Sequence, residues 1–161
     1  MGKAKGSSPG RVAASRPKTD RRRATTCKRQ GELSELAFVH KAASLGFGVA
    51  RPYGDNERYD FIVDSGQRLW RVQVKSTAYL RGECYRVLVL RHLRGHTVSY
   101  QPSEVDFLVA HVIPEEAWFV LPIRAIGSRP ILTLSRSPSA RRRPRLWDAY
   151  REAWHLLRET E

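Results

Sequence analysis

An aspartate stands inside the apolar run Tyr59-Asp60-Phe61-Ile62-Val63, and a glutamine and a lysine alternate with valines in Arg71-Val72-Gln73-Val74-Lys75-Ser76. A carboxylate among apolar residues is costly unless it lies at a strand end, on a solvent face or in a site. Side chains alternate along a strand, so Gln73 and Lys75 share one face while Val72 and Val74 share the other. Asp64-Ser65-Gly66-Gln67 is a turn sequence, and a hairpin built on it brings Asp60 level with the Gln-x-Lys pair. Carboxylate, amide oxygen and ammonium then meet beside a hydrophobic sheet. Hard divalent cations take oxygen ligands of this type. Phosphodiester hydrolysis uses such a cation together with a nearby lysine.

Lys75 also stands out by composition. From residue 31 onward the chain has seventeen Arg but only two Lys, Lys41 and Lys75. A compact ammonium whose pKa can shift differs from an always-charged guanidinium fork. Lys75 can orient the attacking water, help deprotonate it, or stabilise charge in the transition state. Read without any convergence, Asp60 is a strand-end charge and Gln73 a sheet-surface amide.

These residues need a scaffold. Leu33, Leu36, Ala37 and Ala43 or Ser44 follow helical spacing from Gly31, and Gly46 supplies the stop. Gly48 to Pro52, Tyr59 to Val63, Leu69 to Lys75, Tyr85 to Leu90, Asp106 to Ile113 and Trp118 to Leu121 read as strands. Tyr53-Gly54-Asp55-Asn56 reads as a turn. Leu146, Ala149, Tyr150, Ala153, Trp154 and Leu157 mark a C-terminal amphipathic helix, reached through a basic linker over residues 136–145.

In order and spacing the motifs resemble the PD-(D/E)XK nuclease superfamily. The form is the variant with Gln in place of the second acid, similar to the branch of group I intron homing endonucleases. The resemblance runs from Gly31 to about Pro122 and is carried by Gly31 to Glu35, Gly46-Phe47-Gly48-Val49, Arg58-Tyr59-Asp60 and Gln73-Val74-Lys75. Asp106-Phe107-Leu108-Val109 and Trp118-Phe119-Val120-Leu121-Pro122 extend it. It implies an α/β, restriction-endonuclease-like fold: a central mixed sheet flanked by helices. It also implies a Mg2+-dependent DNA endonuclease, with Mn2+ able to substitute. The implied catalytic set is Glu35, Asp60, Gln73 and Lys75, with Asp60, Gln73 and Glu35 holding the metal directly or through water. Glu32 reads more simply as an acid favoured by the helix dipole in the first turn. Asp55 and Asp64 read as turn residues, and Asp106 receives no chemistry.

Charge points the same way. The chain carries 29 Lys and Arg against 16 Asp and Glu, net +13, and residues 1–30 hold ten Lys and Arg with Asp20 alone against them. Such an excess suits a polyanion, nucleic acid first, or a solvated tail that only keeps the protein soluble; the resemblance to nucleases implies double-stranded DNA as the partner. Residues 1–30 have almost no large apolar side chains and read as a disordered basic tail, with the nuclease core over 31–135 and the linker and helix over 136–161. No signal-peptide core or membrane-length apolar run appears, and a cytoplasmic, nucleoid-associated protein is expected. Cutting both strands with one site per chain implies a homo-oligomer, a dimer or tetramer, for which Tyr150, Trp154 and Leu157 offer a face, although packing within the chain explains the same stripe at least as well.

Other chemistries find no support. Cys27 and Cys84 have no metal-ligand spacing. His92 and His96 lack a third ligand and, with Arg91 and Arg94, read as a basic loop facing phosphate. No P-loop, dinucleotide fingerprint or nucleophilic triad is present. Two alternatives remain: a catalytically silent DNA-binding module on the same fold, or a small basic RNA-associated protein in which Asp60, Gln73 and Lys75 are splayed apart.

Overall fold

Unbroken apolar runs belong in strands covered on both faces. Two of them, Phe107–Val112 and Ala117–Pro122, are almost wholly buried in the computed structural model, which describes residues 18–54, 56–93, 95–136 and 145–158. Helix α1 (Lys18–Ser44) is followed by β1 (Gly48–Ala50), β2 (Phe61–Asp64) and β3 (Leu69–Thr77). Then come β4 (Leu80–Arg81), β5 (Cys84–Leu88), β6 (Leu90–Leu93) and β7 (His96–Ser99). The two apolar runs are β8 and β9, and α2 (Ile123–Ile126) and β10 (Ile131–Ser135) complete the set.

The central sheet has the order β1-β2-β3-β8-β9. It is mixed: only the β3–β8 pair is parallel, with Gln73 opposite Leu108 and Lys75 opposite Ala110. Strands β10, β5 and β4 form a second antiparallel sheet, and β6 with β7 a hairpin. The core lies on both faces of the central sheet. On one, Phe38 and Ala42 of α1 meet Phe61, Val63, Trp70, Val72, Val74, Phe107, Val109 and Trp118. On the other, Leu108, Ala110 and Val112 meet Tyr85, Val87, Leu132 and Leu134 of the second sheet. The expected α/β architecture with a central mixed sheet is therefore present, and β10 is a buried strand that the sequence reading did not name.

The helix face differs from the expected one. Ser34, Phe38 and Ala42 point inward at successive i, i+4 steps, whereas Leu33 and Leu36 are 58% and 67% exposed. Ser34 and Ala42 are small and let the helix approach the sheet closely, while Ser34 Oγ meets His111 Nδ1 at 3.1 Å. The stop is as expected. Gly46 adopts φ +85, and the amides of Gly46 and Phe47 bond the carbonyls of Ala43 and Ala42.

Two expectations for the chain ends need correction. The disordered tail was placed over residues 1–30, but residues 18–30 belong to α1. Residues 1–17 lie outside the described residues. Lys, Arg, Ala and Gln are strong helix formers, and the packed second half of α1 removes the cost of nucleation. The pair Lys28–Glu32, 3.9 Å apart at i, i+4, adds a little.

The C-terminal amphipathic helix is also absent. The segment makes short 3-10 turns at Asp148–Tyr150 and Trp154–Leu157. Between them Arg151 is extended and bridges Phe119, and Glu152 takes φ 50. The Glu152 amide donates to the Trp118 carbonyl at 2.7 Å, and the Trp118 amide donates to Glu152 Oε1 at 2.8 Å. Pairing with the edge of β9 replaces helical bonding. Trp154 and Leu157 are buried inside the same chain, so of the two readings of that stripe it is packing within the chain that is found. Most of the basic linker, residues 137–144, lies outside the described residues.

The packing yields one stability test. Phe38→Ala should destabilise by about 3–5 kcal/mol, the usual cost of emptying a fully buried aromatic position. Leu36→Ala, on the exposed flank, should stay within about 0.5 kcal/mol. Denaturant unfolding of the two variants checks this ordering.

Candidate active site

Strand β3 is longer than its neighbour β2. The β2–β3 ladder ends where Phe61 faces Val72, while β3 runs on to Thr77 beside β8 alone. Past that point the Val74 amide has no strand partner on the β2 side. Asp60 supplies one: its own amide donates to the Val72 carbonyl at 2.9 Å, and its Oδ2 accepts the Val74 N–H at 2.8 Å. The carboxylate thus closes the fork between two strands.

Gln73 lies on the same face. Its Nε2 donates to Asp60 Oδ2 and, at 3.2 Å, to the Val74 carbonyl. One donor nitrogen therefore sits between a carboxylate oxygen and a main-chain carbonyl oxygen. With the amide turned over, Oε1 would face the same two oxygens only with a cation between them, because two acceptors cannot meet there unaided. The donor set at this point is Asp60 Oδ2, the Val74 carbonyl and the Gln73 amide, with Glu35 alongside; all are hard oxygens of the kind a small divalent cation accepts.

Glu35 comes from α1, on the opposite face of the sheet, and reaches the open end of the fork. Its pKa is raised by burial and then by the Asp60 charge, partly offset by Arg51 and Lys75. Arg51, just past β1, holds Glu35 Oε2 with Nη2 at 3.2 Å. The Asp60 pKa is also raised by burial, against the lowering effect of the Val74 amide, Lys75 and Gln73. Lys75 lies over the ring of buried Tyr100, 5.5 Å from its centroid, where its charge reaches both carboxylates. Asp60 and Gln73 touch, Glu35 and Lys75 flank them, and the splayed arrangement of the RNA-associated alternative is not found.

Two nearby acids, Asp64 and Asp106, serve the structure. Asp64 Oδ1 accepts the Gly66 amide at 2.7 Å within the turn, as expected. Asp106 is held by Arg71: Oδ2 accepts the Arg71 amide at 2.8 Å and Nε at 3.0 Å, and Oδ1 accepts Nη2 at 2.8 Å. Burial raises the Asp106 pKa, but these bonds outweigh it and bring it below the ordinary value. The clamp locks β8 onto β3 and so fixes the height of Gln73 and Lys75. Glu32 is exposed beside Lys28. Asp55 lies outside the described residues. His96 is exposed on the β6–β7 hairpin. Among the described residues no group of three or more His, Cys, Asp or Glu could hold a metal ion, so any cation here depends on amide and main-chain oxygen as well as carboxylate.

Sequence reasoning missed Arg51, Tyr100 and Glu104. Glu104 Oε1 accepts from Arg91 Nη2 at 2.6 Å and lies 3.9 Å from Arg58 Nε, two residues before Asp60. One carboxylate thus serves two guanidiniums and leaves a local excess of positive charge. No local spacing announces these residues, because only the register of β1 on β2 and the return of β7 bring them to the site.

The raised carboxyl pKa values carry a stability signature. In the window between the ordinary and raised values the folded state binds more protons than the unfolded one, so stability falls as pH rises through it. At neutral pH the cost is fully present. Asp60→Asn should therefore melt at or above the wild-type temperature near pH 7, and the advantage should shrink as pH is lowered toward about 4. Thermal melts across that range measure it; a lower neutral melting temperature for the variant would contradict the cost ascribed to Asp60.

No curated protein matches the chain. It is similar in structure to a bacterial homing endonuclease, I-Ssp6803I, with 33% identity and a TM-score of 0.67 over 81% of this chain and 90% of that one. The family model for the PD-(D/E)XK endonucleases matches residues 25–157. With its mixed sheet and its Asp60, Gln73 and Lys75 motif, the chain belongs to the PD-(D/E)XK endonuclease family.

Proposed function

We propose that this endonuclease hydrolyses phosphodiester bonds of double-stranded DNA with a divalent cation, Mg2+ with Mn2+ able to substitute. The cation is held by Asp60, Gln73 and Glu35, with the Val74 carbonyl beside them. The observation that carries this reading is the meeting of Asp60 Oδ2 and the Val74 carbonyl at one point, the amide nitrogen of Gln73. A cation that displaced this amide hydrogen-bond donor would be held by the same oxygens and would supply Lewis acidity for water activation and for charge on the scissile phosphate.

The chain's own groups do the rest. Asp60 is fixed by the Val74 amide and brings the negative charge. Gln73 turns its amide to offer Oε1, a neutral ligand that leaves the site less negative than two acids would. Glu35 adds a second carboxylate from the helix side. Lys75 assists the nucleophile and balances phosphate charge, its ammonium oriented by the Tyr100 ring. Arg58, which is partly exposed and shares Glu104 with the nearly buried Arg91, adds positive charge two residues before Asp60. DNA as the polyanion is supported by the net +13 of the chain and by the homing activity in the name of its structural relative. Among the described residues no helix is long and apolar enough to cross a membrane.

Asp60→Ala and Lys75→Ala should each abolish Mg2+-dependent plasmid cleavage while folding normally. Wild-type nicking by either purified variant would end the mechanism. Lys75→Arg should slow cleavage by about a hundredfold or more, the scale of a lost proton-transfer or electrostatic contribution. A Lys75→Arg protein that cuts as fast as wild type would reduce Lys75 to a phosphate-facing cation. Gln73→Glu should retain activity at least in part and need less Mg2+.

Residues 1–17 carry four Lys and Arg and no acid. Deleting them leaves α1 intact, should weaken DNA binding about equally for all sequences, and should flatten its dependence on salt. An unchanged slope of log K against log salt would show that this segment does not touch DNA.

A further inference from the structure

Arg51 occupies an unusual position. Ala50 faces Ile62 in the β1–β2 ladder, so Arg51 emerges just past the last pair, beside Phe61 and next to Asp60. Its guanidinium carbon stands 6.0 Å from the centre of the Phe61 ring. Glu35 is the one acceptor it holds among the described residues, at 3.2 Å, and the Arg51 side chain is 70% exposed. It also lines an open groove of about 350 Å3 between α1 and β1, walled by Leu36, Val39, Val49 and Phe61. The guanidinium therefore has room to swing, and little besides one carboxylate holds it. Its charge lowers the pKa of Asp60 as well as that of Glu35.

We propose that Arg51 is the counter-ion a divalent cation displaces from Glu35, and that the released guanidinium takes up a phosphate of the DNA. The inference rests on the nuclease reading and deepens it. In the DNA-free chain Glu35 already has a positive partner, so an entering cation must compete with it. Like charges repel at this distance, and a carboxylate facing a divalent ion has less to offer a guanidinium. A planar fork of donors suits phosphate oxygens, and the groove lets it turn toward them. Metal and DNA then favour each other, because each makes the other's partner available. The site would load its cation mainly on DNA.

Calorimetric titration of Mn2+ into the DNA-free full chain tests the competition, and cleavage at saturating Mn2+ tests the transfer. Arg51→Ala should bind Mn2+ roughly two- to fivefold tighter, the worth of a partly exposed ion pair. The same variant should cut about tenfold or more slowly, the scale of a lost hydrogen bond to a charged group. Arg51→Lys should lie between wild type and Arg51→Ala in both measurements. Unchanged or weaker Mn2+ binding by Arg51→Ala overturns the competition, and an unchanged cleavage rate overturns the transfer to phosphate. If wild type binds Mn2+ and cuts while Arg51→Ala behaves identically, only this inference fails. If wild type takes up no Mn2+ at all, with or without DNA, it falls together with the nuclease reading.

Discussion

The bond from the Val74 amide to Asp60 Oδ2 is the contact on which the site depends. It exists because β2 stops pairing with β3 at Phe61 and Val72, leaving a main-chain donor that needs an acceptor. A carboxylate at the fork satisfies that donor and is itself fixed by it. The same fork leaves a gap through which α1, packed on the other face, brings Glu35. It also leaves the Val74 carbonyl and the Gln73 amide at one point. A sheet in which β2 stayed paired with β3 to the end would have no such opening.

That arrangement has an energetic cost, and the rest of the fold offsets it. Two partly buried carboxylates stand near each other, each with its pKa raised by burial. Against this, both faces of the central sheet are covered by apolar side chains. The Arg71–Asp106 clamp ties the parallel pair together, and the Glu152–Trp118 bonds seal the outer edge of β9. The chain holds a locally unfavourable site in a scaffold that is favourable elsewhere. Gln73 in place of an acid makes the site less costly, because a third carboxylate would raise the repulsion.

Much of this was legible in the residues. Alternation in Val72-Gln73-Val74-Lys75 and the turn around Gly66 were enough to bring Asp60 level with Gln73, since hairpin geometry is local. The continuous apolar runs around Phe107 and Trp118 announced covered strands. Two kinds of information were not local. The basic stretch before Gly31 reads as disorder by composition, yet helix formers there prolong a helix whose first buried side chain, among those described, is Ser34. The stripe from Leu146 to Leu157 has helical spacing, but main-chain pairing with Trp118 takes the hydrogen bonds a helix would use. Leu33 and Leu36 misled for a related reason: periodicity counts apolar residues, whereas Phe38 and Ala42 decide which side can approach the sheet. Arg51 and Tyr100 join the site only through strand register and chain return, which no spacing encodes.

The central claim is that one point between Asp60, the Val74 carbonyl and Gln73 is a cation site. A crystal structure of the full chain with duplex DNA and Mn2+, using Lys75→Ala to stop cleavage, locates the ion directly by anomalous scattering. The expected result is a peak bonded to Asp60 and the Val74 carbonyl, with the Gln73 amide turned to present Oε1. An ion bound to DNA elsewhere, with the Gln73 nitrogen still on Asp60, would contradict it.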